Sequence, residues 1–107
     1  MYNIILVCNL GLSTSMVVKK MQEATEKLSI EATIEAIPES SLKKVAETAN
    51  VILLGPQISY KLDELKKLYE EKGIKVAVVN GTDYAMMNGE KVLKFAVDLI
   101  NKWVRYD

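Results

Sequence analysis

The chain has 107 residues, half of them apolar and 26% charged, which fits one compact domain with its own core and excludes a disordered or low-complexity chain. Lys plus Arg and Asp plus Glu both number 14, so the net charge is zero, against nucleic-acid or anionic-membrane binding through a basic field. With no histidine and one cysteine, an internal disulfide, a Ser-His-Asp triad, a Cys-His dyad and the common zinc sites drop out; a reducing cytoplasm is the expected location, with no metal or cofactor.

Strand and helix patterns then alternate along the chain. Asn3 to Val7 is a continuous apolar run ending at Cys8, as in a strand buried on both faces. A turn over Asn9 to Thr14 follows. From about Ser15 to Leu28 the spacing is helical, with Val17, Met21, Ala24 and Leu28 on one side and Lys19, Lys20 and Glu23 on the wet side. Glu31 to Ile37 alternates, with Ala32, Ile34 and Ala36 facing inward, which predicts an edge strand stopped by Pro38. Ser40 or Ser41 is expected to cap a short helix carrying Leu42, Val45, Ala46 and Ala49. Val51 to Leu54 is the next buried strand, broken by Gly55-Pro56. Ile58, Leu62, Leu65 and Leu68 mark a helix that stops near Gly73. Lys75 to Val79 is a fourth strand, ended by Asn80-Gly81. A loop or helical turn covers Thr82 to Asn88, with Asp83 as its expected cap, and a last helix runs from about Gly89 to Val104, burying Val92, Ala96, Leu99, Ile100 and Trp103.

This alternation predicts an α/β fold: an open four-stranded parallel sheet, order 2-1-3-4, with helices on both faces and one domain over residues 1–107. A ligand crevice then lies beyond the carboxyl ends of the first and third strands, where the winding reverses. The apolar runs at 4–7, 51–54 and 76–79 are too short to span a membrane or to serve as a signal core, so no direct membrane insertion is expected.

The loop at that crevice carries the chemistry. Cys8 ends the first strand, and Asn9, Leu10, Gly11, Leu12, Ser13, Thr14 and Ser15 lead into the helix. Unpaired amides at a helix start favour an anion, Gly11 permits a tight loop, and three hydroxyls add donors. Such a cradle for a phosphoryl dianion needs neither metal nor arginine, and the cations here are 13 Lys and the single Arg105. The same surroundings are expected to lower the thiol pKa of Cys8, favouring a thiolate able to carry a phosphoryl group. On its residues alone, Cys8 could equally be a small apolar filler and the hydroxyls simple helix caps. Gln57 and Tyr84 flank the crevice in the inferred topology. For Gln57 the alternative is an ordinary strand-to-helix turn. Tyr84 more commonly packs on the surface in such a place. Met86 and Met87 could offer an apolar docking surface with Leu10 and Leu12, or lie partly buried under the last helix, the reading favoured here.

The segment Cys8-Asn9-Leu10-Gly11-Leu12-Ser13-Thr14-Ser15 resembles the phosphorylation loop of the IIB components of the bacterial sugar phosphotransferase system, lactose/cellobiose (chitobiose) class. That pattern is Cys, two variable residues, Gly, Met or Leu, then Ser-Thr-Ser. The stretch Val51 to Ile58 followed by Tyr60 is similar to the same family, and the likeness covers essentially the whole chain. Asn9 and Leu10 stand where small residues are common. The resemblance implies a cytoplasmic domain in which Cys8 accepts a phosphoryl group from a phosphohistidine of a IIA protein. It then passes the group to a β-linked disaccharide of cellobiose or chitobiose type, bound in a IIC membrane transporter. Residues 9–15 would form the cradle.

Two rivals remain. A low-molecular-weight cysteine phosphatase also places its nucleophile after the first strand, but its pattern is Cys, five residues, Arg, and here the last position is Thr14. A non-catalytic flavodoxin-like binding domain is the other. A thioredoxin is excluded because there is no Cys-x-x-Cys, and a phosphoaspartate receiver because no acidic residue ends the first strand.

Overall fold

The computed structural model describes residues 1–8 and 11–105, with side chains at 1–8 and 14–101. Strand β1 (Tyr2–Val7) is followed by helix α1 (Gly11–Leu28), strand β2 (Ala32–Ile37), the short helix α2 (Leu42–Val45) and strand β3 (Val51–Leu54). Helix α3 (Leu62–Tyr69), strand β4 (Lys75–Val78) and helices α4 (Gly81–Ala85) and α5 (Gly89–Arg105) complete the order. The strands form one sheet, β2-β1-β3-β4, and every pairing is parallel. Ile4 pairs with both Ile34 and Val51, and Ile52 pairs with Val76, so β1 and β3 form the middle of the sheet.

Residues 4–7 of β1 and all of β3 are apolar and buried because both their faces are covered. Ile4, Leu6, Val51 and Leu53 pack with Val17, Met21, Val92, Leu93 and Ala96 of the two long helices. Ile5, Val7, Ile52 and Leu54 pack on the opposite face with Leu42, Ala46, Ile58, Leu65 and Tyr69. Strand β2 buries Ile34 alone. Ala36, expected inward, is exposed, since β2 is an edge strand with one neighbour.

Several local expectations need correction. Helix α1 begins at Gly11, not near Ser15, so four residues read as loop belong to the helix. Gly11 is accordingly the first helical residue and not part of a turn. Neither Ser40 nor Ser41 makes a capping hydrogen bond; α2 is four residues long between two three-residue 3-10 turns, and such a segment offers little helix to cap. In α3 the buried positions are Leu65 and Tyr69, while Leu68 is half exposed, because the helix closes after eight residues and Tyr69 takes the inward place. The stop at Gly73 is as read, with φ +82° and its amide bonded to the Glu70 carbonyl. In α5, Val92, Leu93 and Ala96 are buried and Leu99 and Ile100 are half-buried; the Trp103 side chain lies outside the described residues.

Candidate functional site

Cys8 follows the last residue of β1, where its amide bonds the Ile37 carbonyl at 3.3 Å. The crevice is assembled from the carboxyl ends of β1, β3 and β4, as the reversal of winding between β1 and β3 requires. Cys8 is 7% exposed, Thr14 in the first turns of α1 is 1% exposed, and Tyr84 of α4 is 5% exposed. The Tyr84 hydroxyl lies 2.7 Å from Thr14 Oγ1 and 3.7 Å from Cys8 Sγ. A buried hydroxyl without a partner would cost roughly 1–3 kcal/mol, so Thr14 and Tyr84 satisfy each other. Gly55 follows β3 and bonds the Val7 carbonyl through its amide at 3.0 Å. A Cβ on Gly55 would stand 2.8 Å from Gln57 Oε1 and 3.7 Å from the Tyr84 hydroxyl. Gly55 has ordinary extended backbone angles, so here glycine provides room, not an unusual conformation.

Local chemistry aims Tyr84 inward. Asn80 caps α4, its side-chain oxygen accepting from the Thr82 amide at 2.9 Å and the Asp83 amide at 3.0 Å. The expected cap, Asp83, is therefore not the cap: the residue directly before the helix has the right geometry and Asp83 supplies an amide. With α4 fixed at its start, Tyr84 points to the sheet side. Burial pushes the phenol pKa upward; the Thr14 hydrogen bond opposes this, Cys8 adds to it, and Gln57 opposes it weakly. The hydroxyl thus stays protonated at neutral pH and is available as a hydrogen-bond donor.

Of the residues singled out from the sequence, Cys8, Thr14 and Tyr84 come together. Gln57 is exposed, yet its side-chain oxygen folds over Gly55 beside the tyrosine. Ser15 is exposed on the first turns of α1. Gly11, Leu12 and Ser13 form the start of α1, whereas Asn9 and Leu10 lie outside the described residues. The surface role favoured for Tyr84 is corrected by its burial. Met86 is 73% exposed, against the expected cover by the last helix, because it sits on the outer side of the turn between α4 and α5; Met87 is half exposed. Asn80 and Gly55 were not read as site-building residues. A cap residue immediately after an apolar strand was the available signal for Asn80. The space above Gly55 has no local signal. Among the described residues no helix is long and apolar enough to cross a membrane.

A parallel, doubly wound sheet with a cysteine at its switch point defines this chain as a small open-sheet α/β protein. The chain belongs to the lactose/cellobiose-specific IIB subunits of the phosphotransferase system, whose family model matches residues 3–95. It is 35% identical over 100 residues to the oligo-beta-mannoside-specific EIIB component of Bacillus subtilis (strain 168), covering 94% of this chain and 97% of that one. Identity is also 35% over 103 residues to the cellobiose-specific EIIB component of Lactococcus lactis subsp. lactis (strain IL1403), covering 92% and 95% of the two chains. The solution structure of a cellobiose-specific IIB component from Borrelia burgdorferi superimposes with a TM-score of 0.78 at 42% identity, over 94% of this chain and 93% of that one. The lactose-specific IIB domain of Streptococcus pneumoniae shares the fold, with a TM-score of 0.82 at 16% identity over 91% and 95% of the two chains. The protein is therefore a sugar-specific component of the phosphotransferase system, and the fold expected from the sequence is the fold of the family.

Proposed function

We propose that residues 1–107 act as a single cytoplasmic IIB domain that carries a phosphoryl group on Cys8. The observation that supports this most directly is the meeting of Cys8 with the Thr14–Tyr84 hydroxyl pair at the start of α1. The Cys8 thiolate attacks the phosphorus of a phosphohistidine on a IIA protein. The S–P bond forms as the N–P bond breaks, and the imidazole leaves. Residues 9–15 supply donors to the phosphoryl oxygens. The helix start adds partial positive charge, and Tyr84 adds a neutral hydroxyl. Gln57 closes the other side. Because the donors are neutral and Thr14 stands where a phosphatase would have arginine, water is poorly activated and the group is kept for transfer.

In the second step a hydroxyl oxygen of a sugar held by a IIC transporter attacks the phosphorus; the O–P bond forms as the S–P bond breaks, the thiolate departs and the hydroxyl proton is released to solvent. A β-linked disaccharide of cellobiose type is the substrate class proposed, in keeping with relatives named for cellobiose and oligo-beta-mannoside. The test is intact-mass analysis after incubation with a phosphorylated IIA protein. Wild type is expected to gain one phosphoryl group that Cys8→Ser does not. Equal uptake by Cys8→Ser would overturn the assignment of Cys8, and rapid turnover of p-nitrophenyl phosphate would favour the phosphatase instead.

A further inference from the structure

Gly89 opens α5 at a place where two helices nearly touch. A Cβ on this residue would stand 2.3 Å from the carbonyl carbon of Lys20, 2.4 Å from the Met21 amide nitrogen and 2.5 Å from the Lys20 carbonyl oxygen. All three atoms belong to the backbone of the 18-residue helix α1, which has no flexible end to swing away. Ordinary carbon contacts need about 3.5 Å, so a methyl group would force the start of α5 outward by roughly 1 Å.

That start is tied to Tyr84. The Asn88 amide bonds the Asp83 carbonyl at 2.9 Å, the Met87 amide bonds the Tyr84 carbonyl at 3.1 Å, and the Gly89 amide bonds the Met87 carbonyl at 3.0 Å. Asn88 Oδ1 in turn accepts from the Lys91 amide at 3.1 Å. Within this turn Met87 is held at φ +51°, a left-handed conformation uncommon for a methionine and kept here by the surrounding hydrogen bonds. Helix α4, the turn and the first residues of α5 thus form one stiff piece. Its contacts with α1 include the Tyr84–Thr14 hydroxyl pair and the close approach of Gly89 to Lys20 and Met21. Thr14 and Lys20 are six residues apart, about 9 Å along the helix. Displacing one point therefore moves the other.

We infer that Gly89 is a positioning residue for the cysteine site: its missing side chain sets how far Tyr84 reaches toward Thr14 and Cys8. The inference rests on the reading of Cys8 as phosphoryl acceptor. The experiment compares Gly89→Ala, Tyr84→Phe and the double variant. It measures the rate of Cys8 phosphorylation from a phosphorylated IIA protein and, in unphosphorylated protein, the NMR signal of the ring carbon bearing the Tyr84 hydroxyl. Gly89→Ala is expected to slow transfer about tenfold, within the range for ångström-scale misplacement, and to shift the Tyr84 signal. In the Tyr84→Phe background the same change should slow transfer no further. Leu65→Ala, on the opposite face of the sheet, is the control for general destabilisation and should leave the Tyr84 signal in place. Equal slowing by Gly89→Ala in both backgrounds, or an unmoved Tyr84 signal, would overturn the inference.

Should Gly89→Ala not fold, Met87→Gly keeps the test alive. It relieves the left-handed residue and slackens the piece joining Gly89 to Tyr84, so slower transfer in a protein of undiminished stability is expected, and an unchanged rate and Tyr84 signal would overturn the coupling. A wild-type protein that takes no phosphoryl group on Cys8 would sink the functional reading, while the Tyr84 signal would still decide whether Gly89 positions the tyrosine.

Discussion

The two helical layers on this sheet are built differently. One is made of α1 and α5, continuous over 18 and 17 residues and packed on each other and on Ile4, Leu6, Val51 and Leu53. The other is a chain of fragments. The short α2 lies between two 3-10 turns, and α3 is preceded by a 3-10 stretch over Pro56–Lys61 that is interrupted at Ile58. Both layers bury full apolar faces, so both contribute to the core. Thr14 belongs to the continuous layer, Tyr84 stands on the short α4 packed into the same core, and Gln57 belongs to the fragmented layer. A long helix fixes a side chain through many shared hydrogen bonds, whereas a broken segment fixes it through its own few. Thr14 is therefore held by the stiffer side, Tyr84 is held by its hydrogen bond and packing onto that side, and Gln57 is the more adjustable wall.

The largest effects should come from removing core leucines on each side. Leu93→Ala and Leu65→Ala each delete a buried side chain, and each is expected to lower the unfolding free energy in urea by about 2–5 kcal/mol. The two should part at the site: Leu93→Ala disturbs the core on which Tyr84 packs and is expected to slow Cys8 phosphorylation, while Leu65→Ala, in the opposite core, should slow it little at a temperature where both are folded. Equal slowing would erase the distinction between the layers.

A smaller effect is expected from Tyr84→Phe, which leaves the Thr14 hydroxyl buried without its partner, at a cost of about 1–3 kcal/mol. Its pH dependence sharpens the assignment. The folded phenol pKa is raised above the ordinary tyrosine value, so the folded state holds its proton more tightly than the unfolded chain. The resulting stabilisation is complete below about pH 10 and is lost as pH rises through the folded value. Unfolding midpoints of wild type should therefore fall more steeply in alkali than those of Tyr84→Phe; parallel curves would mean the hydroxyl is not buried as described.

The smallest effect concerns a surface link between α1 and α5. Glu90 lies 3.1 Å from Lys27 and 3.4 Å from Lys94, and these lysines lower its carboxyl pKa, Lys27 first. A lowered folded value stabilises above the unfolded carboxylate range and is lost as pH falls through the folded value. Glu90→Gln is expected to shift the melting temperature slightly at neutral pH and low salt, and not at all in high salt or acid. A shift that survives high salt would point to packing and not charge.

Much of this architecture was legible in the residues. The uninterrupted runs at 4–7 and 51–54 identified the central strands, and the alternation at 31–37 identified the edge strand, which together gave the strand order. The cysteine with its Gly and hydroxyl-rich sequel marked the crevice. The partnership of Thr14 with Tyr84 was not legible. The hydroxyl of Thr14 suggests a loop or cap residue, and a five-residue helix such as α4 is too short to show a periodicity that would turn Tyr84 inward. Asn80 and Asp83 are both good caps by residue type, and only the place of Asn80 directly after the apolar run distinguishes them. Gly89 looked like an ordinary helix start, because the contact that makes it necessary lies on α1, far back in the chain.

The seat of α4 and α5 on α1 also constrains how such chains can be recombined. Between relatives at about a third identity, the 39–48 and 56–72 segments of the fragmented layer, on either side of β3, are reasonable units to exchange. A breakpoint that takes residues 81–101 from one parent and 14–28 from another separates Gly89 from the helix backbone shaped to receive it. Inheritance of the two together, although more than fifty residues lie between them, is the condition for a chimaera to keep its tyrosine in place.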